Sequence, residues 1–96
     1  MFKALDPLLH SELRLAIISL LVGMEQAGFG EIKERTGATA GNLSVQLQKL
    51  CDAGYISLEK SFKGKYPLTT CIITKQGLKA FEDYVDALKD YLKPKK

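Results

Sequence analysis

The sequence has 96 residues, of which 46% are hydrophobic and 26% charged, and its formal net charge is +3. This balance is typical of a soluble globular chain and excludes a disordered one, and the length provides one small core rather than two. No apolar run approaches the roughly 18 residues of a membrane span, and the N-terminus lacks a signal-peptide pattern, so we expect a cytoplasmic protein with no membrane partner.

The chain is poor in the residues that catalysis and metal binding require. Its two cysteines, Cys51 and Cys71, are not part of a CxxC pair, and His10 is the single histidine. Neither a metal site nor a nucleophile–base pair is expected from this inventory. We therefore predict no catalytic residue, no metal and no cofactor, and we interpret both cysteines as packed thiols rather than a redox switch.

The first half of the chain has the signals of two helices. Asp6-Pro7 is a helix-start signal, and the apolar spacing predicts a helix up to about residue 24, with a restart at Ser11 after a break near His10. Residues 28–30 are interpreted as a connector. A short helix follows over 30–35 and ends at Thr36-Gly37, because glycine tolerates the left-handed closing conformation.

The second half predicts a helix, a hairpin and a long last helix. Thr39 is a good cap for a helix over 40–53, whose inward face is Leu43, Leu47 and Leu50. Residues 55–63 and 69–74 have strand patterns, and the loop over 63–67 joins them into a hairpin. Thr74 caps a helix over 75–93, and a basic tail occupies 94–96.

Three segments in this order resemble stand-alone winged-helix transcriptional regulators. HSELRLAIISLL (10–21) is similar to their opening helix, TAGNLSVQLQKLCDAGYI (39–56) to their recognition helix and its exit into the wing, and ITKQG (73–77) to their strand-to-helix junction. The small MarR-like and ArsR-like repressors are the nearest in character. The resemblance implies an α+β, mostly helical fold: a single winged helix-turn-helix domain over 1–96, with a two-stranded β-hairpin wing and a long C-terminal helix.

The function that this reading predicts is sequence-specific binding of double-stranded DNA by a dimeric transcriptional regulator, a repressor rather than an activator. Asparagine and glutamine pair well with adenine, and an exposed valine meets the thymine methyl group, so we expect some A·T preference. The predicted DNA-binding residues are Thr39, Gly41, Asn42, Ser44, Val45, Gln46, Gln48, Lys49, Lys60, Lys63, Lys65 and Tyr66.

Each of these features also has a plainer interpretation. A face of amides and lysine is what any solvated helix shows, and a lysine-rich hairpin guards a sheet edge against pairing. A winged helix that binds proteins without any nucleic acid is therefore the alternative function.

The last helix, 75–93, is long for a domain of this size, and its far half would outrun the core. We expect a second subunit to cover it, so that a homodimer reads the two halves of a pseudo-palindromic operator. The predicted dimer interface is Phe2, Leu5, Leu9, Phe81, Tyr84, Val85, Leu88, Tyr91 and Leu92. A small-molecule effector is neither indicated nor excluded by the sequence.

Overall fold

The computed structural model describes residues 2–93, so the predicted basic tail at 94–96 lies outside the described residues. Its elements are helices α1 (Glu12–Met24), α2 (Phe29–Thr36), α3 (Ala40–Asp52) and α4 (Lys75–Leu92), and strands β1 (Gln26–Gly28), β2 (Ile56–Lys63) and β3 (Tyr66–Ile73). The predicted α+β fold is confirmed: a helix-turn-helix, formed by α2 and α3, precedes the β2–β3 hairpin, which we call the wing, and a long C-terminal helix.

The predicted break before α1 is confirmed. The Asp6 carbonyl accepts hydrogen bonds from the Leu9 and His10 backbone N–H groups, at 3.1 and 2.9 Å, and closes a single turn. The chain then leaves this turn and re-enters a helix after Ser11, which is extended at φ −149°. The N-terminal arm, residues 2–11, is therefore a separate segment lying ahead of α1.

The interpretation of residues 28–30 as a connector was wrong. Residues Gln26–Gly28 form β1, which pairs antiparallel with β3, and α2 begins directly afterwards. The chain enters β1 through Glu25, whose φ of 71° reverses its direction and whose carbonyl accepts a hydrogen bond from the Ile73 N–H at 3.0 Å. The sheet order is β1-β3-β2, with β3 in the centre.

The wing is a tighter hairpin than expected. Lys63 pairs with Tyr66, so the turn is only Gly64 and Lys65, and β3 begins three residues before the predicted strand. Gly64 has a φ of 63°, a conformation that glycine adopts at no steric cost. Phe62 follows the strand alternation of Ile56 and Leu58, yet it is 74% exposed because the hairpin extends beyond the core.

The core lies where α1, α3 and the base of the sheet meet. It takes Ile17, Ile18 and Leu21 from α1 and the predicted leucines Leu43, Leu47 and Leu50 from α3. Cys71 in the central strand is fully buried, whereas Cys51 on α3 is half-buried. The inner side of α3 is thus held against both α1 and the sheet.

Helix α4 packs on the domain along a different line from the expected one. Its buried residues are Gly77, Tyr84 and Ala87. The larger residues Leu78 and Leu92 remain 37% and 72% exposed. Gly77 lies against the Tyr55 carbonyl oxygen, which a Cβ atom at this position would overlap.

Two of the predicted dimer-interface residues are corrected by this packing. Leu9 is 0% exposed and Tyr84 is 5% exposed within the single chain. Their side chains fill the core of one subunit and offer no surface to a second.

The N-terminal arm runs to the far end of α4. The rings of Phe2 and Tyr91 are stacked with centroids 4.5 Å apart, and the Lys3 backbone N–H donates to Asp90 at 3.3 Å. Phe2 and Tyr91 are nevertheless 62% and 48% exposed. The arm and the end of α4 therefore form one apolar surface. No helix within residues 2–93 has the length and apolarity needed to cross a bilayer.

Candidate nucleic-acid interface

Helix α3 is fixed at its start and along its inner side. The Thr39 hydroxyl caps the helix by accepting a hydrogen bond from the Asn42 N–H at 3.2 Å, as the sequence predicted. Leu43, Leu47 and Leu50 are each at most 2% exposed. A helix anchored in this way presents its other side in a fixed orientation.

The outer side of α3 carries the predicted polar face. Val45 is 51% exposed and is the apolar side chain of this surface. Each of the other predicted residues on this helix except Gln46 is also exposed: Thr39, Gly41, Asn42, Ser44, Gln48 and Lys49. No described residue covers this surface.

Gln46 is placed differently from its neighbours. It is half-buried, and its carbonyl oxygen accepts a hydrogen bond from Arg14 Nη1 on α1. Its amide nitrogen donates to Asn42 Oδ1 at 3.0 Å. Both ends of this amide are therefore bound within the protein.

Gln48 has one internal partner, since its amide nitrogen donates to Asp52 Oδ1 at 2.8 Å. Among the described residues, no hydrogen-bond donor reaches its carbonyl oxygen. Asp52 also compensates part of the positive charge that Lys49 brings to this end of the helix.

A cleft of about 240 Å³ separates α3 from the base of the wing. Lys60 lines this cleft together with Ser44 and Gln48 of α3. Lys60 and Thr69 are paired across the two strands on the side that continues the core face. The cleft is lined by Phe29, Ser44, Leu47, Gln48, Leu58, Lys60 and Thr69.

The three remaining predicted residues, Lys63, Lys65 and Tyr66, lie at the tip of the wing. All are exposed, with Tyr66 at 76%, and none lines the cleft beside α3. The structure thus places Lys60 beside the α3 surface and leaves the wing tip as a separate exposed region.

Cys71 and His10, for which no functional role was predicted, make contacts within the fold. Burial raises the pKa of the Cys71 thiol to about 11, with a smaller contribution from Cys51, so this thiol stays protonated and unreactive at neutral pH. His10 Nδ1 lies 3.0 Å from the Tyr84 hydroxyl. Within residues 2–93 no group of three or more histidine, cysteine or acidic side chains is arranged to hold a metal ion.

Sequence reasoning missed two residues at this interface. Arg14 was read only as part of the opening helix, although it reaches Gln46 on α3. Phe62 was read as part of an apolar strand face, although it stands in solvent beside the wing lysines. Arg14 gave a usable signal, since a cation on a largely apolar helix needs a partner; Phe62 gave none, because its exposure depends on where the core ends.

The comparison with protein families decides what this architecture is. Residues 13–92 match the family described as the winged helix DNA-binding domain. The chain belongs to this family. The resemblance predicted from the three sequence segments is confirmed, and the winged helix is a DNA-binding domain.

Similar proteins are found among archaea. This winged helix is 38% identical over 77 residues to the uncharacterized protein MJ0432 of Methanocaldococcus jannaschii, covering 79% of this chain and 83% of that protein. A transcriptional regulator homologue from Pyrococcus horikoshii OT3 superposes with a TM-score of 0.83 at 26% identity, over 88% of this chain and 84% of the other. The putative transcriptional regulator TA0346 from Thermoplasma acidophilum has a TM-score of 0.71 at 28% identity, over 91% and 89%.

Proposed function

We propose that this winged helix is a transcriptional regulator that inserts α3 into the major groove of double-stranded DNA and lays the wing along the adjacent backbone. The similar folds described as transcriptional regulators in two archaea support the regulatory role. A B-DNA major groove is wide enough to admit one α-helix.

The observation that carries the proposal is the uncovered outer side of α3. Asn42, Val45 and Lys49 are all exposed while three leucines hold the helix from below. Asparagine reads base edges, valine contacts a thymine methyl group, and lysine contacts phosphate or guanine. At the start of the helix, Gly41 leaves the backbone accessible to a phosphate, which the helix dipole favours.

The wing supplies the contacts that do not depend on sequence. Lys63 precedes the turn, Lys65 lies in it and Tyr66 follows it, so two cations and a hydroxyl group meet the sugar-phosphate backbone together. Lys60, at the cleft, bridges the wing and α3.

We further propose that the regulator is a homodimer on a pseudo-palindromic operator. Leu78, Val85 and Leu92 follow one another at seven-residue intervals on α4, beside the buried line rather than within it. A heptad spacing of this kind is typical of helix pairing between subunits. The exposed stack of Phe2 on Tyr91 extends the same surface, and the partly buried Leu5, Phe81 and Leu88 border it.

We infer repression by occupation of the operator as the mode of action. A regulator acts in the compartment that holds the DNA, which we propose to be the cytoplasm.

The test is selection of bound DNA from a random duplex pool, followed by gel shift of the selected sequence at several salt concentrations. We expect a two-fold symmetric sequence whose affinity falls as salt rises. Lys49→Ala weakens binding, whereas Lys79→Ala, which removes the same charge from an exposed position on α4, does not. Failure to enrich any sequence, with binding absent even at low salt, would favour the protein-interaction module instead.

A further inference from the structure

We propose that Arg14 is a positioning residue that fixes the direction of the Asn42 side-chain amide, so that this position of α3 offers hydrogen-bond donors and selects against cytosine, whose major-groove edge carries no acceptor. The inference rests on the proposed DNA binding and names what one of its contacts reads. It also departs from the expectation that this amide pairs bidentately with adenine, since Asn42 Oδ1 already accepts from Gln46.

The argument begins with the hydrogen-bonding chemistry of arginine. A guanidinium group has five N–H donors and no acceptor. Arg14 donates through Nε to the Leu8 carbonyl oxygen at 2.6 Å, which holds the guanidinium in place at the N-terminal arm. Its Nη1 then donates to Gln46, and only the carbonyl end of that amide can accept.

The direction of Gln46 fixes the direction of Asn42. With Oε1 turned to Arg14, the Gln46 amide nitrogen faces Asn42 and donates to Oδ1 at 3.0 Å. If the Asn42 amide were reversed, two N–H donors would face each other, which is unfavourable. The Asn42 NH₂ group is therefore the end turned away from Gln46, and Asn42 is exposed.

A donor at this position distinguishes bases by their major-groove edges. Guanine, thymine and adenine each offer it an acceptor, at O6 or N7, at O4 and at N7, whereas the cytosine edge carries only the N4 amino donor. Gln46 is half-buried and bonded within the protein at each end of its amide, so we assign it no base contact. The proposal thus removes Gln46 from the predicted set of DNA contacts and adds Arg14 as a residue that acts through another.

Gln46→Glu is the variant that reverses the polarity. A carboxylate still accepts from Arg14, but it has no N–H to donate, so Asn42 turns its NH₂ group toward Glu and presents Oδ1 to the DNA. Selection from a random pool is expected to raise cytosine and adenine relative to guanine and thymine at one position of each half-site, by about threefold to tenfold. The control Gln48→Glu adds the same charge two residues away and leaves the relay intact, so its effect on preference falls at another position.

The free protein supplies a test that needs no DNA. In the wild type, the Gln46 side-chain NH₂ protons are expected to exchange with solvent more slowly than those of Asn42, as measured by NMR. Arg14→Met, checked for folding by urea denaturation, abolishes that difference and relaxes the base preference. If Arg14→Met does not fold, Gln46→Glu decides the question, since it retains a partner for Arg14.

The outcomes separate this inference from the proposed function. Equal exchange of the two amides in the wild type, or DNA binding by Gln46→Glu with an unchanged base preference, would overturn the relay. Loss of affinity for all sequences alike in Arg14→Met, with preference unchanged, would show Arg14 to be a phosphate contact and also overturn it. Absence of specific DNA binding by the wild type rejects the proposed function and the base selection with it, whereas amide exchange still decides whether the Arg14–Gln46–Asn42 relay exists.

Discussion

The Tyr55 hydroxyl connects the exit of α3 to the N-terminal arm by donating a hydrogen bond to the Asp6 carboxylate. This hydrogen bond, together with burial and the negative charge of Asp6, raises the pKa of Tyr55 from 10.0 to about 12. Asp6 also accepts from the Leu8 N–H at 2.9 Å, so one carboxylate organises the turn before α1. The Tyr55–Asp6 hydrogen bond therefore contributes to stability where the exit of α3, the N-terminal arm and the turn before α1 meet.

Tyr55→Phe is expected to lower the free energy of unfolding by about 1.5 kcal/mol at neutral pH, because the Asp6 carboxylate loses an O–H donor. A phenol whose pKa is raised on folding stabilises the folded state fully below pH 10.0, and this stability is lost as the pH rises toward about 12. The difference in unfolding free energy between wild type and variant, measured by urea denaturation, should therefore become smaller over that pH range. Tyr66→Phe, at the exposed wing tip, serves as the control with no change. Parallel stability curves up to pH 12 would contradict the assignment.

Individual side chains were predictable where the helical period alone decides their direction. Leu43, Leu47 and Leu50 were predicted to face inward and Val45 outward, and each does so. Gln46 was predicted to lie on the flank of α3, but its contact with Arg14 was not predicted, because Arg14 lies 32 positions away in the sequence. Pairing between side chains on different elements leaves no trace in the spacing of either element.

At the scale of elements, Gly77 determines how closely α4 approaches the sheet. A Cβ atom at this position would overlap the Tyr55 carbonyl oxygen, which is backbone and cannot move aside. Gly77→Ala is expected to lower the free energy of unfolding by about 2 kcal/mol, through the displacement of α4. The measurement is thermal or urea unfolding.

Gly23→Ala is the matched control, since this exposed glycine on α1 has nothing within 4 Å of the added Cβ. It is expected to raise the free energy of unfolding by about 0.5–1 kcal/mol, because alanine is the better helix former. Equal effects of the two substitutions would show that α4 does not depend on the close approach.

The two lysines of the wing tip are expected to contribute to DNA binding through their charge. The double variant Lys63→Ala with Lys65→Ala should weaken binding to all sequences alike and lower the slope of log affinity against log salt by about 2, as two phosphate contacts are lost. The selected sequence should remain the same. Lys89→Ala with Lys93→Ala removes two charges at the end of α4 and should leave the slope unaltered. An unchanged slope in the wing variant would mean that the hairpin does not contact the backbone.

The beginning of an element was predictable where a residue of its own sequence caps it. Thr39 and Thr74 cap α3 and α4 as the sequence indicates, and each accepts a backbone N–H bond. Strand β1 was missed because its three residues acquire their conformation from pairing with β3, about 45 positions later. Phe81 and Leu88 were predicted as apolar positions of α4 and both pack against the core. The burial of Gly77 and Ala87 was missed because such small side chains give little apolar signal.

At the scale of the whole molecule, the apolar surface of α4 and the N-terminal arm predicts a homodimer. Leu92→Glu is expected to dissociate it into monomers without unfolding the chain, since Leu92 is 72% exposed and makes no core contact. Phe62→Glu is the control, because it replaces an equally exposed apolar side chain on the wing and should leave the dimer intact. Sedimentation velocity measures both. A wild-type monomer at high micromolar concentration would rule out the dimer on this surface.

The sheet order leaves β2 with one long side that has no partner strand in the described chain. Such a border is a template on which a foreign strand can add, and charged side chains there discourage the addition. Removing Lys63 and Lys65 to study DNA binding therefore also weakens a protection against fibre growth. Stocks of that variant call for low concentration and light-scattering checks, so that a loss of soluble protein is not taken for a loss of affinity.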